Sequence, residues 1–81
     1  MHEFSLAQGL HTQLMDLVRE HDMKSVKMAE VRIGTNAGIV EESFLFGFNV
    51  LAGQSEETKG INLVVSRDDG TDLILQRLEL E

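Results

Sequence analysis

Apolar residues recur at helical spacing near the start of the chain. They form one stripe, at intervals of three and four residues, made of Leu6, Leu10, Leu14, Leu17 and Val18. This period predicts an amphipathic helix from about Ser5 to His21. Ser5 and Gln8 have the spacing of a capping box, which would begin the helix at Ser5. The first four residues would then lie outside the helix, extended and free.

The next segment alternates between apolar and charged side chains. Ala29, Val31 and Ile33 occupy one phase of this alternation, and Glu30 and Arg32 occupy the other. A period of two residues predicts a strand, here from Ser25 to Gly34, with one face turned toward a core.

A second helix is predicted from about Val40 to Ala52, and Gly53 has the position of a C-terminal glycine. Its core stripe consists of Val40, Phe44, Phe48 and Leu51. Phe46 and Val50 fall on a different side, and a helix that is apolar on more than one side must bury the extra face. Two interpretations remain open: the extra face contacts a partner or a second copy of the chain, or the sheet and first helix wrap around it.

Two further strands close the chain. Ile61 to Ser66 predicts one strand, and Asp72 to Leu80 predicts the other, with Ile74, Leu78 and Leu80 in phase. The connection from Arg67 to Thr71 contains Asp-Gly, which favours a hairpin. The fold class is therefore α+β, a two-layer αβαββ domain with two helices packed on one face of a three-stranded mixed or antiparallel sheet. The pattern does not decide which of these two strands lies beside the first one.

Composition narrows the possible functions. The 81 residues predict a single domain, 1–81, and a net charge of -7 argues against binding to nucleic acid. No apolar run reaches the roughly 20 residues of a membrane-spanning helix, and no secretory signal is present, so we expect a cytoplasmic protein. No nucleophile motif or phosphate-binding loop indicates an enzyme.

The candidate metal ligands of this chain are its first three residues, Met1-His2-Glu3. The Met1 amine, the His2 backbone nitrogen and the His2 imidazole lie along one short covalent path, so they can surround one face of a metal ion. Nitrogen-rich, tetragonal surroundings suit Ni(II) or Cu(II). Glu3 adds a carboxylate, either as a fourth ligand or as a partner of the imidazole.

The opening Met1 to Leu6 (MHEFSL) resembles the start of the HypA/HybF family of nickel-insertion accessory proteins. The similarity continues in order along nearly the whole chain, through Lys27 to Gly34 (KMAEVRIG), the second helix, Gly60 to Leu63 and Leu75 to Leu80. The resemblance implies a metallochaperone domain, not an enzyme, that binds Ni(II) through Met1, His2 and Glu3. It would deliver nickel for [NiFe]-hydrogenase maturation, with a maturation GTPase and the hydrogenase large subunit as partners.

Two departures from that family stand out. Its zinc domain, with two Cys-x-x-Cys pairs, would be inserted between Arg67 and Thr71, but this chain contains no cysteine, so no zinc is expected. In some members an acidic residue at the start of the second helix lies near the nickel. The corresponding position here is Val40, which cannot bind a metal; Glu41, one residue later, either approaches the site or is a surface residue that complements the helix dipole.

The alternative function is a metal-independent docking or scaffold module that uses Phe46 and Val50, and a homodimer is a further possibility.

Overall fold

The computed structural model of this chain describes residues 2–81. Its elements follow the predicted order αβαββ: α1 (Glu3–Glu20), β1 (Val26–Gly34), a short 3-10 helix (Thr35–Ala37), α2 (Glu41–Ala52), β2 (Asn62–Asp68) and β3 (Leu73–Leu80). The fold class predicted from the sequence is confirmed. No helix in residues 2–81 is long and apolar enough to cross a membrane.

The sheet has β1 at its centre, in the order β2-β1-β3. β1 pairs with β2 in parallel and with β3 in antiparallel orientation, so the sheet is mixed. The predicted hairpin between the last two strands is wrong, because β2 and β3 flank β1 and do not pair with each other in the described sheet. The Asp-Gly turn signal is local and cannot reveal that a third strand lies between the two that it connects.

The connection from β2 to β3 crosses the end of β1 in close backbone contact. Gly34 N–H donates to Asp72 O at 2.8 Å, and Asn36 N–H donates to Gly70 O at 3.0 Å. A Cβ atom on Gly34 would collide with the Gly70 carbonyl group. Glycine is therefore required at position 34 by the approach of another backbone segment, and not by its own dihedral angles, since its φ is −69°.

The core lies between the sheet and the two helices. Its fully or almost fully buried members come from α1 (Ala7, Leu10, Leu14, Val18), from β1 (Val26, Ala29, Val31, Ile33) and from α2 (Phe44, Phe48, Ala52). The strand alternation and the predicted helix stripe therefore point to the core, except for Leu17, which is not part of this cluster. Phe44 and Phe48 are its largest side chains, and truncation of such a residue to alanine costs about 3–5 kcal/mol.

The last strand departs from simple alternation. A register shift between Glu30 and Val31 of β1 corresponds to one extra residue in β3, Gln76. Consequently the half-buried side chains of β3 are Leu73, Leu75, Leu78 and Leu80. Ile74 is exposed, so its predicted phase with Leu78 and Leu80 is wrong, because a bulge changes the face on which the following residues lie.

α2 presents a second apolar side to solvent, as its pattern suggested. Phe46 is 72% exposed and Val50 is 42% exposed, so the interpretation that the sheet and α1 wrap around this side is wrong. Val40 is 55% exposed and precedes the helix, so it does not belong to the core stripe. As predicted, the helix ends at Ala52 and Gly53 follows it as the C-cap residue, in a right-handed conformation.

Candidate metal centre

The first helix begins at Glu3, two residues earlier than predicted. His2 is its N-cap residue, and Leu6 N–H donates to His2 O at 2.9 Å. Ser5 lies inside this helix and is not its N-cap residue, so the predicted capping box at Ser5 is wrong. Among residues 2–81, no side chain caps the helix at His2. The expectation of an extended start is also wrong for Glu3 and Phe4, which are helical. Met1, the remaining residue of the predicted chelate, lies outside the described residues.

His2 stands at the exposed end of α1. Its carbonyl oxygen belongs to the first helical turn through the bond from Leu6. Its amide nitrogen precedes that turn, in the region where helix N–H groups have no partner within the helix. Both nitrogens of His2 that the predicted chelate needs are therefore outside the hydrogen-bond ladder of α1.

Glu3 connects the start of α1 with the start of α2. Its side chain is 7% exposed, and its Oε2 accepts a hydrogen bond from Val40 N–H at 3.0 Å. The charged amino terminus and the Val40 N–H both favour the ionised carboxylate, and together they lower the pKa of Glu3 from 4.5 to about 2. Glu3 is therefore a carboxylate that holds the beginnings of two helices together.

A second carboxylate, that of Glu41 at the start of α2, lies at the same end of the domain and contacts the guanidinium group of Arg67 in β2. Glu41 Oε1 accepts a hydrogen bond from Arg67 Nη1 at 2.7 Å, and both side chains are partly exposed. Val40, which cannot bind a metal, is the residue that contacts Glu3. The carboxylate of Glu41 is therefore paired with β2.

The predicted metal ligands Met1, His2 and Glu3 remain a prediction. Within residues 2–81, no three histidine or acidic side chains are grouped closely enough to hold a metal ion. The predicted site does not need such a group of side chains, because two of its ligands would be the terminal amine and the His2 backbone nitrogen.

A hydrogen-bond chain that the sequence did not reveal links α1, the loop before β2 and α2. Thr58 Oγ1 donates to Ala52 O at 3.0 Å, so it accepts from His11 Nε2–H at 2.9 Å. The His11 ring also meets Phe48 edge-on, with centroids 6.3 Å apart. Thr58 is fully buried although it lies in a polar loop, and no periodic pattern marks it. His11 is half-buried, and these contacts give it a structural role.

The stability of the domain is expected to fall as the pH decreases below about 6.5, partly through His11. Burial lowers the pKa of His11 below its ordinary value of 6.5, against the opposing effect of Glu57. The unfolded chain then binds more protons, so this contribution is present above the unfolded pKa and is lost as the pH falls through the folded pKa. Urea unfolding at several pH values should show a steeper loss for the wild type than for His11→Gln. Equal slopes would contradict this role of His11.

The comparisons with known proteins agree with this architecture. Residues 1–73 match the family described as "Hydrogenase/urease nickel incorporation, metallochaperone, hypA". The hydrogenase maturation factor HypA of Azorhizobium caulinodans is 32% identical over 71 residues, which cover 88% of this chain and 62% of the relative. HypA of Aquifex aeolicus is 41% identical over 49 residues, which cover 60% of this chain and 43% of the relative. The matched part thus spans less than two thirds of the length of these curated relatives.

Two solved structures share the fold. The solution structure of the Ni metallochaperone HypA from Helicobacter pylori superposes with a TM-score of 0.79 and 16% identity, covering 100% of this chain and 97% of that chain. A second solution structure of a HypA protein has a TM-score of 0.82, at the same identity and coverage. At 16% identity this similarity concerns the fold alone.

Proposed function

Because this chain belongs to the HypA family of hydrogenase and urease nickel-incorporation metallochaperones, we propose that it binds Ni(II) through its N-terminus and delivers it for [NiFe]-hydrogenase maturation. The observation that carries the proposal is the position of His2. Its imidazole is exposed, and its amide nitrogen precedes the first turn of α1. Titration of the metal-free chain with Ni(II), with and without residues added before Met1, tests this function.

The proposed ligands are the Met1 amine, the His2 backbone nitrogen and the His2 imidazole. They form two adjacent chelate rings along one covalent path, so little conformational freedom is lost when they bind a tetragonal ion. Of the two roles considered for Glu3, its bond to Val40 N–H supports the role of a supporting partner. Glu3 would hold the start of the chain in place beside α2 while the nitrogens bind the metal.

The electrostatics of this end of the domain support a cation site despite two helix N-termini. Each helix N-terminus carries a partial positive charge that disfavours a metal ion. Glu3 at the start of α1 and Glu41 and Glu42 in the first turn of α2 offset this charge. A deprotonated His2 amide would add a further negative charge at the metal itself.

Delivery would proceed by ligand exchange, without catalysis of a covalent reaction. A site built on a chain end leaves one side of the ion open, so ligands of a receiving protein can replace the nitrogens one at a time. Binding should weaken in acid, because the amine and the imidazole bind metal only when deprotonated. The proposed receiving partners are a maturation GTPase and the hydrogenase large subunit, in the cytoplasm.

We further propose that this domain performs these steps without zinc. The connection between β2 and β3 consists of Asp69 to Asp72, and the 81 residues contain no cysteine. A structural zinc site needs four Cys or His ligands, which this connection lacks.

A second candidate function, docking of a maturation partner, is favoured by the exposed side of α2. Phe46 and Val50 lie one turn apart on this helix and are both exposed. Phe4 of α1 is 50% exposed and packs beside Gly47, where an added Cβ would lie 3.0 Å from its Cδ1. Glu42 and Ser43 border the Phe46 side of this surface. These apolar side chains would dock a partner independently of metal.

Phe46→Asp is expected to weaken partner docking at least tenfold while leaving the Ni(II) affinity unchanged. The side chain is mostly solvated in the free domain, so its replacement removes little core packing, whereas an interface would lose an aromatic anchor. Binding to the maturation GTPase, measured by calorimetry beside a Ni(II) titration, checks both parts. Asn49→Asp, which adds the same charge to an exposed neighbouring position of α2, is the matched control. Unchanged docking by Phe46→Asp would eliminate this surface.

A further inference from the structure

The outer edge of β3 is bordered by an open groove. β3 is an edge strand of the described sheet, with only β1 beside it. Between β3 and α1 lies a groove of about 450 Å³, whose apolar walls include Leu6 and Leu10 of α1 and Leu73 and Leu75 of β3. Gly9 borders it, and a Cβ atom there would meet no described atom within 4 Å. A strand added at this edge would therefore direct alternate side chains into an existing space.

The sequence of β3 is complementary to itself in antiparallel orientation. The bulge at Gln76 leaves half-buried leucines at 73, 75, 78 and 80, with exposed side chains between them. This pattern reads the same in both directions about the midpoint between Gln76 and Arg77. Opposite residues of two paired strands share a face, so only a register centred there matches leucine with leucine throughout.

We propose that two copies of this chain associate through their β3 edges in this register. Leu75 of one copy lies opposite Leu78 of the other, and Leu73 lies opposite Leu80, all on the helix-covered face. Leu78 and Leu80 of each copy enter the groove of its partner, between α1 and β3. The contact is isologous about a two-fold axis, and each copy contributes and receives the same side chains.

The other face of the paired strands is mixed and has a complementary polar pair only at its centre. Toward each end, the exposed Ile74 lies opposite Glu79, and Asp72 and Glu81 just outside the strands carry like charges. Gln76 of one copy lies opposite Arg77 of the other, and Arg77 is well exposed beside Glu30. The net charge of -7 on each copy opposes association. The dimer should consequently be weak, with a Kd on the order of 100 µM, and should tighten with added salt, which screens this repulsion.

Sedimentation equilibrium of the metal-free full chain, from about 10 µM to about 1 mM, tests the dimer. Gln76→Glu should tighten it and Gln76→Lys should weaken it, each about fivefold, because each change creates two cross-strand charge pairs with Arg77. Net charge alone predicts the opposite order, since Gln76→Glu makes each copy more negative. The two variants therefore separate this register from general electrostatic association.

Gly9→Glu provides a test from the other wall of the groove. It places a charged side chain at the groove and should remove the dimer, while its higher helix propensity preserves the monomer fold. Circular dichroism and the melting temperature check that fold. A chain that remains monomeric over the whole range, a Kd unaffected by Gly9→Glu, or Gln76 variants that follow net charge would overturn the proposal. The dimer is measured without nickel, so its failure leaves the proposed nickel function intact.

Discussion

Addition of a Gly-Ser-Gly-Ser segment before Met1 is expected to weaken Ni(II) binding more than about 100-fold. The extension converts the Met1 amine into a peptide nitrogen and moves the terminal amine several residues away from the His2 imidazole. A single added residue would not serve, because an amine, two amide nitrogens and the imidazole could then surround the ion. Loss of a supporting partner of a ligand alone costs about 10- to 100-fold in metal affinity, and loss of a ligand should cost more. Calorimetry and visible absorbance on the native and extended chains, at equal protein concentration, provide the comparison. His2→Ala should have the same effect, with an unchanged fold.

Glu3→Gln distinguishes a supporting role of the Glu3 carboxylate from direct binding to the metal. Its amide oxygen can still accept the Val40 N–H, so the connection between the two helix starts is retained while the charge is removed. The proposed supporting role predicts 1:1 binding with an affinity much closer to the wild type than that of His2→Ala. A loss as large as that of His2→Ala would instead make the carboxylate a direct ligand. Equal binding by the native and extended chains, or no binding by either, would eliminate the terminal site.

Gly34→Ala is expected to lower the free energy of unfolding by about 3 kcal/mol, at the upper end of the usual cost of overpacking. The added methyl group would meet the carbonyl group of Gly70, and backbone atoms cannot move aside as a flexible side chain can. For a domain of this size, the melting temperature should fall by about 15 °C. Thermal and urea unfolding followed by circular dichroism provide both quantities.

Gly9→Ala is the matched control for this experiment. A Cβ atom at Gly9 meets no described atom within 4 Å, and alanine has the higher helix propensity. This variant should therefore be more stable than the wild type, by up to about 1 kcal/mol. If the two alanine variants had similar melting temperatures, the crossing of the β2–β3 connection over the end of β1 would not be the constraint inferred above.

The elements that the sequence predicted correctly are those with a sustained local period. The leucine and valine stripe of α1 and the alternation of Ala29, Val31 and Ile33 report burial on one face, and burial on one face follows directly from secondary structure. The failures have non-local causes. The predicted phase of Ile74 with Leu78 and Leu80 is wrong because the bulge at Gln76 depends on the partner strand. The Asp-Gly signal could not reveal that β1 lies between β2 and β3.

The same distinction applies to the candidate site. Met1, His2 and Glu3 are neighbours by covalent connection, so the sequence alone determined that an amine, an amide nitrogen and an imidazole can reach one ion. The sequence also carries the family resemblance, which implies that this ion is nickel. The tertiary structure alone decided that Glu3 binds the Val40 N–H, 37 residues away, and that His11 meets Thr58, 47 residues away. Side-chain partners so distant in sequence are chosen by the packing of the helices on the sheet, which no local pattern encodes.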